Sequence, residues 1–268
     1  MNAAVKTMLV TGASDGIGFE TARALLMLGA TVLVHGRHER RARDTVARLG
    51  ASSGTAVPVW GDFADLAEVL ALARQVQAIT PQLDVLINNA GLYAAKRNIT
   101  DDGFELCMGV NHFAPFLLTH HVLPQLLITP DARIVNVSSM THDGADFDLH
   151  DVDLAHQWSA YGAYATSKLA NVLFTRGLAA RHATLTANAL HPGVIGTKLL
   201  HKAFRMQGAA PVDGARTSVF LATSPTVANI SGSYFDNCRE RSADRRARDA
   251  RLVDAFWQLS QQRLAAWL

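Results

Sequence analysis

Short runs rich in β-branched and apolar residues alternate with longer amphipathic segments along the chain. The runs predict strands at residues 7–10, 31–35, 55–60, 84–91, 133–137, 185–190 and 232–236. The amphipathic segments predict helices at residues 16–29, from the second strand to Gly50, and at 62–79, 101–127, 159–182 and 211–223, with a final charged helix. Strands and helices of these lengths in alternation indicate parallel pairing through right-handed crossovers. We therefore expect an α/β fold with a doubly wound parallel sheet and helices on both faces.

The position of one proline indicates the order of the strands. Pro58 lies inside the third predicted strand, and because proline has no N–H to donate, that strand should lie at an edge of the sheet. The third strand is the edge in the Rossmann order 3-2-1-4-5-6. No linker, repeat or low-complexity tract interrupts the pattern, so we expect one domain over residues 1–268.

A glycine-rich turn follows the first strand directly. It reads TGASDGIG, with glycines at Gly12, Gly16 and Gly18. Glycines at such a turn permit a tight bend, a close approach of the backbone to a pyrophosphate and close packing of helix on strand, while the helix N-terminus offers unpaired N–H groups. The spacing departs from G-x-G-x-x-G, but its place after the first strand predicts a dinucleotide site.

The second strand bears on which dinucleotide is bound. An NAD site places a carboxylate near its end for the ribose 2′-hydroxyl, whereas here no carboxylate occurs before Glu39. Arg37 is suited to a 2′-phosphate, so we expect NADP(H); the alternative is a solvated arginine in an Arg-rich helix with Arg40, Arg41 and Arg43. Asp15 in the turn counts against this reading, because its charge lies close to the phosphates.

Two further segments belong at the same edge of the sheet. Asp62 fits two roles that can both hold, a hydrogen bond to the adenine and a cap on the third helix. The sequence NNAG, ending at Gly91, closes the fourth strand at the carboxyl edge, where such folds bind ligands. The alternative for this segment is a turn without a ligand contact.

A tyrosine and a lysine share one face of the helix predicted over 159–182. Tyr164 and Lys168 are four residues apart, and an ammonium at that distance is expected to lower the pKa of the phenol. The pair then suits general acid–base chemistry between an alcohol and a carbonyl. Tyr161 is the competitor, but it is seven residues from Lys168, about 10 Å along the helix axis.

The motifs together resemble those of the short-chain dehydrogenase/reductase family. TGASDGIG, NNAG, Asn111, the pair Ser138-Ser139, YATSK and His191-Pro192-Gly193 occur in order over nearly the whole chain. The segments NHFAPFLLT, RIVNVSS, YATSKLANVLFTRGLA and SGSYFDNC are similar to the retinol-dehydrogenase-like branch.

This resemblance implies a catalytic centre of Ser139, Tyr164, Lys168 and Asn111. Ser139 would bind the substrate oxygen, in preference to Ser138, and Tyr164 would transfer the proton. The resemblance also implies that the dinucleotide is held by Gly12, Ser14, Asp15, Gly16, Ile17, Gly18, Arg37, Asp62, Phe63, Asn89, Ala90, Gly91, Tyr164, Lys168, Pro192, Gly193 and Thr197.

Asn111 permits an argument from its own sequence context. Pro115 lies four residues later and cannot donate the helical hydrogen bond to the Asn111 carbonyl. The freed carbonyl either holds a water that resupplies protons through Lys168, or it marks an ordinary helix kink.

Composition excludes several classes of protein. The chain is 49% hydrophobic with a net charge of +2, which argues against disorder, and 25 basic residues against 23 acidic ones argue against a nucleic-acid partner. We expect no membrane span, because no apolar run of about 18 residues occurs, and the N-terminus does not read as a signal peptide. Cys107 and Cys238 have no metal or disulfide spacing, so we expect free thiols in the cytoplasm.

The scattered histidines and the basic C-terminus are not read as ligand sites. His120-His121 lacks the spacing of a metal pair, so no metal is expected. The stretch from Arg239 to Arg251 is predicted to form a solvated helix with interleaved salt bridges. Trp257 and Leu259 face either a neighbouring subunit in a homo-oligomer or the core of the chain itself.

These readings predict an NADP(H)-dependent oxidoreductase that interconverts an alcohol and an aldehyde or ketone. The alternatives are a non-catalytic dinucleotide-binding regulatory module and a dehydratase or epimerase on the same scaffold. We expect the substrate lid at about residues 194–212, together with the loop at 142–160. Leu199, Leu200, Phe204 and Met206 indicate either a lipophilic substrate or packing of the lid on its own domain.

Overall fold

A mostly parallel sheet forms the centre of the molecule. The computed structural model describes residues 6–204 and 206–268, without the side chains of Lys202 and Phe204. In these residues one sheet of eight strands has the order β3-β2-β1-β4-β5-β6-β7-β8, in which only the β7–β8 pair is antiparallel. The strands are β1 (Thr7–Val10), β2 (Thr31–Gly36), β3 (Thr55–Trp60), β4 (Val85–Asn88), β5 (Arg133–Val137), β6 (Thr186–His191), β7 (Tyr234–Asp236) and β8 (Arg239–Arg241). The doubly wound sheet and the position of β3 at the edge are confirmed.

Helices cover both faces of this sheet. They are α1 (Gly16–Met27), α2 (Glu39–Leu49), α3 (Leu66–Ile79), α4 (Ala114–Leu127), α5 (Ala160–Arg181), α6 (Lys198–Phe204), α7 (Pro211–Thr223) and α8 (Ala250–Arg263). Alternate residues of each strand point to opposite faces, so Leu9 packs with α3, α4, α5 and α8, while Met8 and Val10 pack with α1 and α7. This arrangement leaves the carboxyl edge of the sheet for the loops.

The helix expected at residues 101–127 is not continuous. A short helical segment, Leu106–Met108, leads into a π-helical turn at Gly109–Phe113, and α4 follows from Ala114. The third helix likewise begins later than expected, because Asp65 rather than Asp62 caps it by accepting from the backbone N–H groups of its first turn.

The C-terminal stretch was wrongly predicted as one charged helix. Asn237 and Cys238 have φ angles of 48° and 59°, which turn the chain back so that β8 pairs with β7. A 3₁₀ turn at Arg245–Arg248 follows, and α8 begins only at Ala250. The ion pair that the described residues form within 239–251 joins Arg246 to Asp244, so interleaved salt bridges do not explain this stretch.

The aromatic side chains of α8 pack on the core of the same chain. The Trp257 ring lies 4.9 Å from the Phe116 ring and 5.9 Å from the Phe174 ring, between centroids, and Leu259 packs against the same cluster. Of the two alternatives for Trp257, the structure supports the intramolecular one. None of the described helices combines the length and apolar character needed to cross a membrane.

Candidate active site

Two adjoining cavities lie at the carboxyl edge of the sheet. The first, of about 380 Å³, is bordered by the glycine-rich turn, and the second, of about 250 Å³, is bordered by α5 and α6. The two cavities share the lining residues Ile17, Asn89, Gly91, Thr197 and Leu199. A ligand that occupied both would therefore extend from the glycine-rich turn to Tyr164.

The glycine-rich turn and the NNAG segment form one hydrogen-bonded unit. Thr11 Oγ1 accepts from the backbone N–H groups of Asn89 and Ala90 at 3.0 and 2.9 Å. Gly12 has a φ of +64°, and a Cβ there would lie 2.8 Å from the Ala90 Cα, while a Cβ on Gly18 would lie 2.4 Å from the Gly12 carbonyl oxygen. Only glycine fits at these contacts, which bring backbone to the floor of the first cavity.

The polar groups of the first cavity fit a dinucleotide. Ser14 is 7% exposed, and its hydroxyl is buried without a hydrogen-bond partner although the residue lines the cavity. Asp15 precedes α1 without a side-chain cap bond, so the first N–H groups of the helix are available for an anion. A buried orphan hydroxyl beside an uncapped helix N-terminus is the donor set expected for a ribose and a pyrophosphate.

Paired charges surround the mouth of this cavity. Arg37 contacts Asp62 at 2.7 Å, and one oxygen of Asp15 accepts from both Arg41 and Lys198 at 2.9 Å. Two cations therefore neutralise the carboxylate of Asp15, which removes the objection that its charge would repel phosphates. Arg41 and Lys198 also line the cavity, although the sequence reading left Arg41 to a solvated helix and did not single out Lys198.

His35 is a further residue of the cleft that the sequence reading missed. Its Nδ1 accepts from the Gly12 N–H at 3.0 Å and its Nε2 lies 2.9 Å from the Gly61 carbonyl oxygen, so the ring joins the ends of β1, β2 and β3. Burial lowers its pKa to about 4, which keeps the ring neutral. Phe63 is buried and stacks on His35 at 4.9 Å, and it lines the same cavity.

The second cavity brings together Ser139, Tyr164 and Lys168. The hydroxyl of Tyr164 hydrogen-bonds Ser139, and the Lys168 Nζ lies 5.5 Å from the centre of the Tyr164 ring. Lys168 donates to the Val137 carbonyl oxygen at 3.0 Å. Ser138 instead donates to the main-chain oxygen of Lys168 at 2.7 Å, so its hydroxyl is used within the fold.

The pKa of the phenol differs from the expectation drawn from helical spacing. Burial raises the pKa of Tyr164 to about 12, against the hydrogen bond from Ser139, which lowers it. Burial also lowers the pKa of Lys168 to about 8. The expected net lowering of the phenol pKa by the ammonium was wrong for this structure, because desolvation outweighs the favourable interactions.

Asn111 lies behind this centre, in the π-helical turn. Its side-chain amide exchanges two hydrogen bonds with the backbone of Leu92, at 2.8 and 3.0 Å, and donates to Ser167 Oγ at 2.9 Å. The side chain is thus committed to joining the segment after NNAG to α5. Because proline has no N–H, Pro115 cannot donate the helical hydrogen bond to the main-chain carbonyl oxygen of Asn111.

One of the two expected lid segments borders the second cavity. Val194, Ile195, Thr197, Leu199, Leu200 and Met206 line it, and the side chain of Phe204 lies outside the described residues. In the described part of the chain, the loop at 142–160 contributes no lining residue, whereas Met140 and Thr141 just before it do. No group of three or more His, Cys, Asp or Glu among the described residues is arranged to hold a metal ion.

Comparisons with known proteins agree with this architecture. The model of the family described as short chain dehydrogenase matches residues 6–208. The chain is 37% identical to human retinol dehydrogenase 14, over 96% of this chain and 85% of that protein. It is similar to a solved structure of a Mycobacterium paratuberculosis protein, with 34% identity, a TM-score of 0.80 and coverage of 97% and 93% of the two chains. A Shigella flexneri short chain dehydrogenase solved in complex with NADP is 26% identical, with a TM-score of 0.68 and coverage of 87% and 97%.

Proposed function

Because the chain belongs to the short-chain dehydrogenase family, in its retinol-dehydrogenase-like branch, we propose that it is an NADP(H)-dependent oxidoreductase that interconverts an alcohol and an aldehyde or ketone. The observation that carries this proposal is the meeting of the Ser139 and Tyr164 hydroxyls with the buried Lys168 beside a glycine-lined cleft. We propose one dinucleotide-binding domain with this centre at its carboxyl edge.

The residues of the second cavity have distinct proposed tasks. Ser139 donates a hydrogen bond to the substrate oxygen, and Tyr164 gives a proton to that oxygen in reduction or removes one in oxidation. Lys168 would hold the ribose next to the nicotinamide. The dinucleotide, when bound, supplies or accepts the hydride. Pro192, Gly193 and Thr197, which line this cavity, would hold its amide end.

We propose a lipophilic alcohol or carbonyl compound as the substrate. Large apolar side chains line much of the second cavity, among them Met140, Val194, Ile195, Leu199, Leu200 and Met206. Apolar walls with a few convergent polar groups are typical of sites for such ligands. The name of the human relative, which refers to retinol, points to the same class.

We also propose a cytoplasmic localisation, which is supported by Cys107 and Cys238, since both are free.

The experiment that tests the proposed activity is the consumption of NADPH and NADH with a panel of aldehydes and ketones of increasing apolar length. We expect turnover with NADPH that rises with apolar length. Tight dinucleotide binding with no turnover of any carbonyl compound would favour a non-catalytic module. Loss of water or inversion at a carbon without net cofactor consumption would favour a dehydratase or epimerase.

The cofactor preference should depend on Arg37. Replacing Arg37 by alanine removes a charge-assisted hydrogen bond to the 2′-phosphate, and we expect kcat/KM for NADPH to fall about 10- to 100-fold while that for NADH changes little. The control is Arg40→Ala, because Arg40 is 93% exposed and is not among the residues of the cleft. Equal losses with both dinucleotides would contradict the proposed role of Arg37.

We also propose that a water held by the Asn111 carbonyl resupplies protons through Lys168. Replacing Pro115 by alanine restores an N–H that can occupy this carbonyl, so we expect turnover to slow by up to about tenfold with little change in KM. Turnover measured from pH 6 to pH 9 in both proteins tests this expectation. Coinciding profiles would favour an ordinary irregularity of the helix.

A further inference from the structure

A buried histidine next to Ser139 has no task in the proposed reaction. His142 lies in the 3₁₀ turn Met140–Gly144 that follows β5, and it is 1% exposed. Its Nδ1 lies 2.7 Å from the main-chain oxygen of Ser139, and its Nε2 accepts from the Asp244 N–H at 3.1 Å. A carbonyl oxygen only accepts and a backbone N–H only donates. A proton on Nδ1 and a lone pair on Nε2 satisfy both contacts, and Nε2 also lies 3.4 Å from Asp143 Oδ1.

The hydrogen bond from His142 holds the peptide group whose position determines where the Ser139 hydroxyl lies. Ser139 Oγ accepts from the Thr141 N–H at 3.2 Å and shares a hydrogen bond with Tyr164. The carbonyl held by His142 belongs to the same residue, whose φ and ψ are −160° and 157°. A shift of this peptide would move the hydroxyl relative to Tyr164.

The C-terminal segment fixes the other side of the imidazole. Arg246 pairs with Asp244 at 2.7 Å and donates to the Ala145 carbonyl oxygen at 2.6 Å, so it ties residues 244–246 to the end of the 3₁₀ turn. The ring of Tyr234 on β7 packs 4.6 Å from the His142 ring. The imidazole is thus held by elements from distant parts of the chain, and one of its two nitrogens is directed at Ser139.

We propose that His142 is a positioning residue, which holds the Ser139 backbone and connects the proposed catalytic centre to the C-terminal segment around Asp244. This inference rests on the proposed function, since it concerns the serine assigned to the substrate oxygen. His142 itself is not a lining residue of either cavity.

Replacing His142 by asparagine or by glutamine distinguishes a positioning role from a role in packing alone. The amide N–H of asparagine reaches the place of Nδ1 and can still donate to the Ser139 oxygen, whereas the glutamine amide reaches the place of Nε2 and loses that bond. We expect His142→Gln to lower kcat about 10- to 100-fold, with nearly unchanged dinucleotide affinity, and His142→Asn to recover most of kcat. Thermal unfolding of both variants measures their fold stability. Equal losses of kcat in the two variants would overturn the proposal.

A double-mutant cycle with Ser139→Ala tests whether His142 acts through the serine. If it does, His142→Gln should cost little additional kcat once the Ser139 hydroxyl is absent. Independent, multiplying losses would overturn the positioning role and leave the proposed function intact. Full activity of the Ser139→Ala protein would instead overturn the proposed task of Ser139 and, with it, the positioning role.

Discussion

Replacing Tyr164 by phenylalanine should lower turnover roughly 10²- to 10⁴-fold, the range that general acid–base catalysis contributes. The substitution keeps the ring, which packs 5.7 Å from the Tyr93 ring in the buried site, and removes only the hydroxyl that hydrogen-bonds Ser139. No other phenol lines the second cavity in the described part of the chain. Turnover is measured as NADPH consumption with a carbonyl substrate, and dinucleotide affinity is measured by fluorescence titration.

The matched control is Tyr161→Phe, the same change one helical turn earlier on α5. Tyr161 is 44% exposed and is not a lining residue of either cavity. Its substitution should leave turnover near that of the unaltered protein. If the Tyr164→Phe and Tyr161→Phe proteins turned over at similar rates, proton transfer by Tyr164 would have to be abandoned.

The strand order could be predicted because it depends on local chemistry. Pro58 has no N–H, and in the sheet it is paired only toward Val34 on β2, which leaves β3 at the edge. The alternation of short apolar runs with helices then leaves few possible topologies. The helix irregularity before Pro115 was foreseen as a disturbance, but its form as a π-helical turn was not.

The charges of the cleft could not be predicted because their partners are distant in sequence. Asp15 and Lys198 are 183 residues apart, and only the folded chain brings α6 onto the glycine-rich turn. The same holds for His142, whose partner Asp244 is 102 residues away. Spacing on one helix placed Tyr164 beside Lys168, but the raised pKa of the phenol depends on burial by other elements.

A buried histidine makes the stability of the protein sensitive to acid. His112 lies among the rings of Phe113, Phe116, Phe174 and Phe256, and burial lowers its pKa to about 3. Its Nε2 contacts Ser260 Oγ at 2.9 Å, while its Nδ1 has no hydrogen-bond partner. The hydroxyl of Ser260 also donates to the Phe256 carbonyl oxygen, so Ser260 keeps a partner if the imidazole is removed.

Replacing His112 by phenylalanine should reduce this sensitivity to acid. The ordinary pKa of histidine, near 6.5, applies to the unfolded chain, which therefore binds a proton below that pH while the folded chain does not. Stability must then fall as the pH falls from 6.5 toward 3, at about 1.4 kcal/mol per pH unit. Between pH 6.5 and pH 5, the phenylalanine variant should lose about 2 kcal/mol less stability than the unaltered protein.

Urea unfolding of both proteins at several pH values between 8 and 5 measures this difference. The comparison at pH 8, where His112 is neutral in both states, gives the effect of packing a larger ring, so only the change with pH tests the titration. His35, whose pKa burial lowers to about 4, remains in both proteins and keeps some acid sensitivity in the variant. Parallel stability curves would show that His112 takes up its proton without unfolding. That outcome would require an opening of the aromatic cluster around α8 to admit water.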